Sequence, residues 1–107
     1  MWTDEEFAAF DPKSLDDYLE RYDHGNGCID EKEERYDVVF VYSVDEFMGC
    51  DVDLRFRTKD EAMKCAKIAS EDERVDPDGI LINHLYEECL NLAPELYEYA
   101  GGMLKKL

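Results

Sequence analysis

The sequence predicts an α+β domain, a small antiparallel sheet with helices before and after it. Three observations carry this expectation. Tyr36-Asp-Val-Val-Phe-Val-Tyr42 is the most β-prone run in the chain, rich in β-branched and aromatic residues. Asp51-Val-Asp-Leu-Arg-Phe-Arg57 alternates strictly between charged and apolar residues. That period of two places Val52, Leu54 and Phe56 on one face and Asp51, Asp53, Arg55 and Arg57 on the other. Thr58-Lys-Asp-Glu61 then reads as a capping box that opens a helix immediately.

Taken in order, Thr3-Asp-Glu-Glu6 forms an earlier capping box and predicts a short helix over about 4–10, carrying Phe7 and Phe10. Asp11 as N-cap and Pro12 at the first helical position predict a second helix over about 12–22. Its apolar stripe is Leu15, Tyr18, Leu19 and Tyr22, and its opposite face carries Asp16, Asp17 and Glu20. Strands follow at about 36–43 and 51–57. As a hairpin they are expected to pair Tyr42 with Val52, Phe40 with Leu54, Val38 with Phe56 and Asp37 with Arg57. The connection holds Phe47 and Met48, which have no place in the alternation. Folding back over the sheet edge is one reading; an exposed apolar contact ringed by acids is the other.

A third helix is expected over about 59–71, where Ala62, Cys65, Ala66 and Ala69 make a stripe small enough to lie close to a sheet. Asp76-Pro-Asp-Gly79 is a turn, with Asp78 as cap of the next helix. That helix is expected over about 79–92, with Leu81, Ile82, Leu85, Tyr86, Cys89 and Leu92. Pro94 starts a last helix over 94–100, which Gly101-Gly102 ends.

The 107 residues fit one domain, 1–107, and a hydrophobic fraction of 45% is enough for a core despite the acidity. The net charge is −16, from 28 acidic and 12 basic residues. Residues 1–34 hold 12 acids against 3 bases, more than half of that excess. Such a chain repels nucleic acid and anionic membranes and favours a basic protein partner. The four cysteines form no CxxC pair, and neither a signal peptide nor a membrane-spanning apolar run is visible. The expectation is a reduced, cytoplasmic protein with no direct nucleic-acid or membrane binding.

Residues 23–33, Asp-His-Gly-Asn-Gly-Cys-Ile-Asp-Glu-Lys-Glu, resemble part of an EF-hand calcium loop. Gly27 matches the sharp-turn glycine, Ile29 the apolar residue after it and Glu33 the closing glutamate, with Asn26 and Asp30 on ligand positions. Tyr22 and His24 stand where the first and third ligands belong, and a strand follows in place of a second helix. A Gly-Asn-Gly turn before a solvated acidic run explains the same letters, and no metal or cofactor is expected. His84, beside Glu87 and Glu88 at helical spacing, reads as a surface His–Glu contact. No serine stands in a nucleophile motif, and no phosphate-binding glycine loop is present.

The expected function is therefore non-enzymatic. The chain would block a basic nucleic-acid-binding protein by imitating nucleic acid. Its likeness to small inhibitors of CRISPR nucleases and restriction enzymes is one of size and charge only. Carboxylates two apart on a strand lie about 6.6–6.8 Å apart, near the phosphate spacing of a nucleic-acid strand. The contact is expected through Asp16, Asp17, Glu20, Glu31, Glu33 and Glu34, with Phe47 and Met48 as apolar anchors. The alternatives are an immunity protein that neutralises a basic nuclease toxin, and a small metal-dependent or carboxylate-based enzyme.

Overall fold

The computed structural model describes residues 2–29, 33–45, 48–85 and 95–107. The fold is α+β: a five-stranded antiparallel sheet in the order β2-β1-β3-β4-β5, with three helices among the described residues. The strands are β1 (Arg35–Ser43), β2 (Gly49–Phe56), β3 (Ile80–Leu85), β4 (Glu95–Ala100) and β5 (Met103–Lys106). The helices are α1 (Asp4–Ala8), α2 (Leu15–Asp23) and α3 (Lys59–Ser70), and a 3-10 turn spans Asn26–Cys28.

Both expected capping boxes form their backbone bond. Thr3 Oγ1 accepts from the Glu6 amide at 3.2 Å, and Thr58 Oγ1 accepts from the Glu61 amide at 3.2 Å. The second helix begins three residues later than expected, at Leu15 behind Ser14. Pro12 is buried in the extended lead-in, and Asp17 satisfies the Lys13 amide at 2.8 Å in place of a cap from Asp11. Tyr22, expected in the buried stripe, is 42% exposed, because α2 ends one residue beyond it and the chain turns away.

α3 connects β2 to β3 by crossing over β1, so β2 and β3 run parallel on either side of it. Its stripe of Ala62, Cys65, Ala66 and Ala69 is wholly buried. Beneath lie Val38, Phe40, Val52, Leu54, Phe56, Ile80, Ile82 and Tyr99, while Leu15 and Tyr18 close the core from α2. Each fully buried Leu, Ile or Phe contributes about 1.5–3 kcal/mol. Burial also raises the Tyr18 hydroxyl and Cys65 thiol pKa values, so both stay neutral.

The hairpin is antiparallel, as expected, but its register is shifted by two residues. Phe40 faces Val52, Val38 faces Leu54, Tyr36 faces Phe56 and Asp37 faces Arg55. A shift of two keeps every side chain on its face, so the inward set is unchanged. The cause is a shorter connection: the ladder extends to Ser43 opposite Gly49. A Cβ at Gly49 would come within 2.8 Å of Val41 Cγ1, so any other residue there would push the Val41 side chain aside.

The two C-terminal helices are not formed where residues are described. Residues 80–85 and 95–100 are strands; 86–94, including Cys89, lie outside the described residues. Asp76–Gly79 is a turn, closed by Gly79 N–H to Asp76 O at 3.0 Å, but Asp78 precedes a strand and caps no helix. Gly101 and Gly102, with φ of 58° and 81°, form a two-residue turn between β4 and β5, the pattern of a type I′ hairpin.

Candidate interaction surface

The residues expected to contact a partner do not form one face. Asp16 lies at the start of α2 and pairs with Arg74 at 3.0 Å. Arg74 also binds Asp72 at 2.8 Å and holds its carboxyl below the usual carboxylate range. The Arg74 carbonyl in turn accepts from Ser43 N–H at 2.8 Å, so Asp16 belongs to the end of β1 where the hairpin turns. Glu33 and Glu34 precede the other end of β1. Eight residue steps of about 3.4 Å separate the strand's two ends, about 27 Å. Glu33 pairs with Arg57 at 3.0 Å, and Glu34 lies 3.0 Å from His84 Nε2. Asp17 is spent on the Lys13 amide, while Glu20 is exposed. Glu31 and Phe47 lie outside the described residues.

Met48 does not fold back over the sheet. It is 61% exposed, beside Val44 at 55% and Val41 at 50%. The loop holds this display by its own hydrogen bonds: Val44 N–H to Met48 O at 2.9 Å and Met48 N–H to Asp45 Oδ1 at 2.9 Å. Val41 faces Asp51 across the ladder, and Asp53 follows on the same outer face, both acids exposed. Among the described residues no cation pairs with either. An apolar knob thus stands next to two strand-spaced carboxylates. The alternation had already put Asp51 and Asp53 outward, but the count of acids drew attention to the N-terminal third instead.

β2 is an edge strand, yet its backbone is sealed over part of its length. Asn26 Nδ2 donates to Asp53 O at 2.9 Å, and Asn26 Oδ1 accepts from Arg55 N–H at 2.9 Å. Arg21 donates to Arg55 O at 2.6 Å and to Asn26 Oδ1 at 3.2 Å. Its guanidinium also lies over the Phe56 ring at 4.5 Å. Asn26, with φ of 52°, therefore serves as a strand substitute along the edge. Its carboxamide oxygen is turned to the protein, which accounts for the loop's Gly-Asn-Gly letters without calcium. Among the described residues no group of three or more His, Cys, Asp or Glu side chains is placed to hold a metal.

On the same outer face, near the start of β1, Arg35 Nε donates to both Asp37 oxygens, at 2.9 and 3.1 Å. Asp37 is buried between Arg55 on β2 and Asn83 on β3. Desolvation first, then repulsion from Asp53, pushes its carboxyl up to about 6 against the pull of Arg35. A cleft of about 590 Å³ lies between α1, α2, the 3-10 turn and α3. Phe7, Phe10 and Ile29 wall it, and Asp4, Glu61, Arg21 and Arg57 supply two charges of each sign. That mixture selects no ligand charge. Among the described residues no helix is long and apolar enough to cross a membrane. Compared with family models, with curated proteins and with solved structures, the chain gives no match.

Proposed function

We propose that this protein is a non-enzymatic acidic inhibitor that binds a basic nucleic-acid-binding protein and occludes its nucleic-acid site. The observation that carries the reading is the hairpin tip: Met48, Val44 and Val41 exposed beside the strand-spaced carboxylates of Asp51 and Asp53, with which no cation pairs among the described residues. The acids meet a positive groove and speed encounter, while the apolar side chains supply the desolvated centre from which affinity comes. Asp16 lies at the same end of the sheet but is paired with Arg74, so it adds less to the acidic rim. Glu33 and Glu34, at the far end and bonded to Arg57 and His84, contribute little. The setting proposed is cytoplasmic, where Cys50 and Cys65 would remain thiols.

The apolar knob also favours a second reading, an immunity protein that grips a basic nuclease toxin beside its active site. One experiment separates them. A partner captured from host lysate is challenged with DNA or RNA, using the wild type and the Met48→Lys and Asp51→Lys/Asp53→Lys variants. Mimicry requires that nucleic acid displace the protein and that both variants lose the partner. A partner that holds this protein and nucleic acid together, without loss of affinity for either, rules out mimicry. Capture undiminished by both variants rules out the hairpin tip.

A further inference from the structure

The face of the sheet turned away from the helices carries a polar row across its middle. Arg55 on β2, Asp37 on β1 and Asn83 on β3 stand directly opposite one another. Asp37, at the centre, is 3% exposed. Arg55 N–H and Arg55 O are bonded outward, to Asn26 and Arg21, so 37/55 is a non-hydrogen-bonded pair of the β1–β2 ladder. The main-chain groups of Asp37 therefore turn to β3, and 37/83 is a bonded pair with Cβ atoms about 4.5–5.5 Å apart. At that spacing a carboxyl and a carboxamide can reach each other. Yet Asn83 Oδ1 is buried with no hydrogen-bond partner among the described residues, while both Asp37 oxygens accept from Arg35 Nε.

The protonation state of Asp37 decides whether this mismatch persists. An ionised carboxylate only accepts, as a carboxamide oxygen does, so the anion leaves Asn83 Oδ1 unsatisfied. In the protonated carboxyl one oxygen becomes a hydroxyl that donates to Asn83 Oδ1. The other continues to accept from Arg35 Nε.

We infer that Asp37 and Asn83 form a proton-operated latch between β1 and β3, which a cation seated at Asp53 opens. With the proton on, Asp37 donates to Asn83 Oδ1. When the proton leaves to solvent, the carboxamide turns by half a rotation and presents Nδ2 to the carboxylate. Among the described residues, the charges facing Asp37 are Arg35 on its own strand and Arg55 and Asp53 on β2. β3 presents the neutral Asn83, and on the same face of β4 and β5 Glu98 stands opposite Lys105, farther off. Tyr36 and His84 stack on the helix-facing side. Asp53 lies diagonally from Asp37, opposite Val39, and its repulsion helps to raise the Asp37 carboxyl to about 6, after desolvation. A positive charge brought to Asp53 cancels that repulsion and favours the anion. Assigning this charge to the partner rests on the function proposed above; binding would then release a proton.

The test follows the full ¹³C,¹⁵N-labelled chain by NMR from pH 4 to 8. The Asp37 carboxyl carbon and the Asn83 side-chain amide should move with one shared midpoint near 6. The amide protons should go downfield as they come to face a carboxylate, while the Asn26 side-chain amide, held by Asp53 O, stays still. Asp37→Asn should abolish the Asn83 movement. Asp53→Lys, a permanent cation at that position, should lower both midpoints together by about one unit, a tenfold weaker hold on the proton. Asp53→Asn should lower them by about half as much. Asn83 signals that stay flat while Asp37 titrates, midpoints that separate, or midpoints indifferent to Asp53 would overturn the latch. All of these are read on the free chain, so they stand apart from the fate of the proposed function. Partner capture undiminished by Asp51→Lys/Asp53→Lys would remove the partner as the source of the cation and leave the latch itself in place.

Discussion

Raising the pH from 4 to 7 should destabilise this protein, and Asp37 should account for a separable part of the loss. Its folded pKa of about 6 lies above the ordinary value of 3.8. The native state therefore holds the proton more tightly than the unfolded chain, and the stabilisation is full below 3.8 and lost as pH rises through 6. A displacement of about two pH units, at about 1.4 kcal/mol each, corresponds to about 3 kcal/mol. The groups setting the sign are near at hand: Arg35 bonded to the carboxylate, Arg55 and Asn83 flanking it, and Asp53 repelling it. Urea melts at pH 4, 5, 6 and 7 for the wild type and Asp37→Asn would measure it. The difference in slope is the observable, because the absolute level also includes the changed pairing of Arg35. Parallel pH profiles for the two proteins would refute the reasoning and leave Arg35 in control of a fully ionised Asp37.

Three further outcomes are expected. Asn26→Ala should cost about 2–4 kcal/mol in urea melts, by losing three hydrogen bonds at a positive φ. Asn26→Gly, which relieves the backbone, should cost about 1 kcal/mol less. Added sodium chloride should raise the melting temperature, since a chain of −16 repels itself more when folded than when open; a flat or falling midpoint would contradict this. Ala66→Leu should cost about 1–3 kcal/mol by calorimetry, because α3 lies against the sheet with no room for a larger side chain.

The first two-thirds of the fold was legible because each signal there was local. Thr3 and Thr58 cap through side chains three residues from their partners, and Val52, Leu54 and Phe56 alternate within one strand. The C-terminal third misled because Leu81, Ile82 and Leu85 also satisfy helical spacing. Ile80 and Ile82 face the core as a strand, and Gly101-Gly102 between short alternating runs is a hairpin signal that competed with a helix stop. The register slipped by two because side-chain periodicity fixes faces but not the length of the connection. The candidate surface was less visible still. Asp16, Glu33 and Glu34 all fall in the N-terminal third, but a nine-residue strand carries their neighbourhoods apart, and their partners come from 57, 74 and 84. The exposure of Met48 could not be read from the alternation, which gave it no place, and the role of Asn26 depends on a strand nearly thirty residues away.

The small-residue stripe of α3 also contains a timepiece. Cys65 is wholly enclosed between helix and sheet, and its thiol is held protonated, so no reagent can reach a thiolate there while α3 is seated. Labelling at this position must wait for the helix to lift from the sheet. With fast reclosing, each additional 1.4 kcal/mol or so of opening free energy slows the reaction about tenfold. Cys50, half-buried on β2, reacts without that wait and serves as the internal reference. In a chain with Cys28 and Cys89 replaced by serine, the ratio of the two labelling rates would report how often the core opens. It would do so under native conditions, without denaturant and without knowledge of the partner.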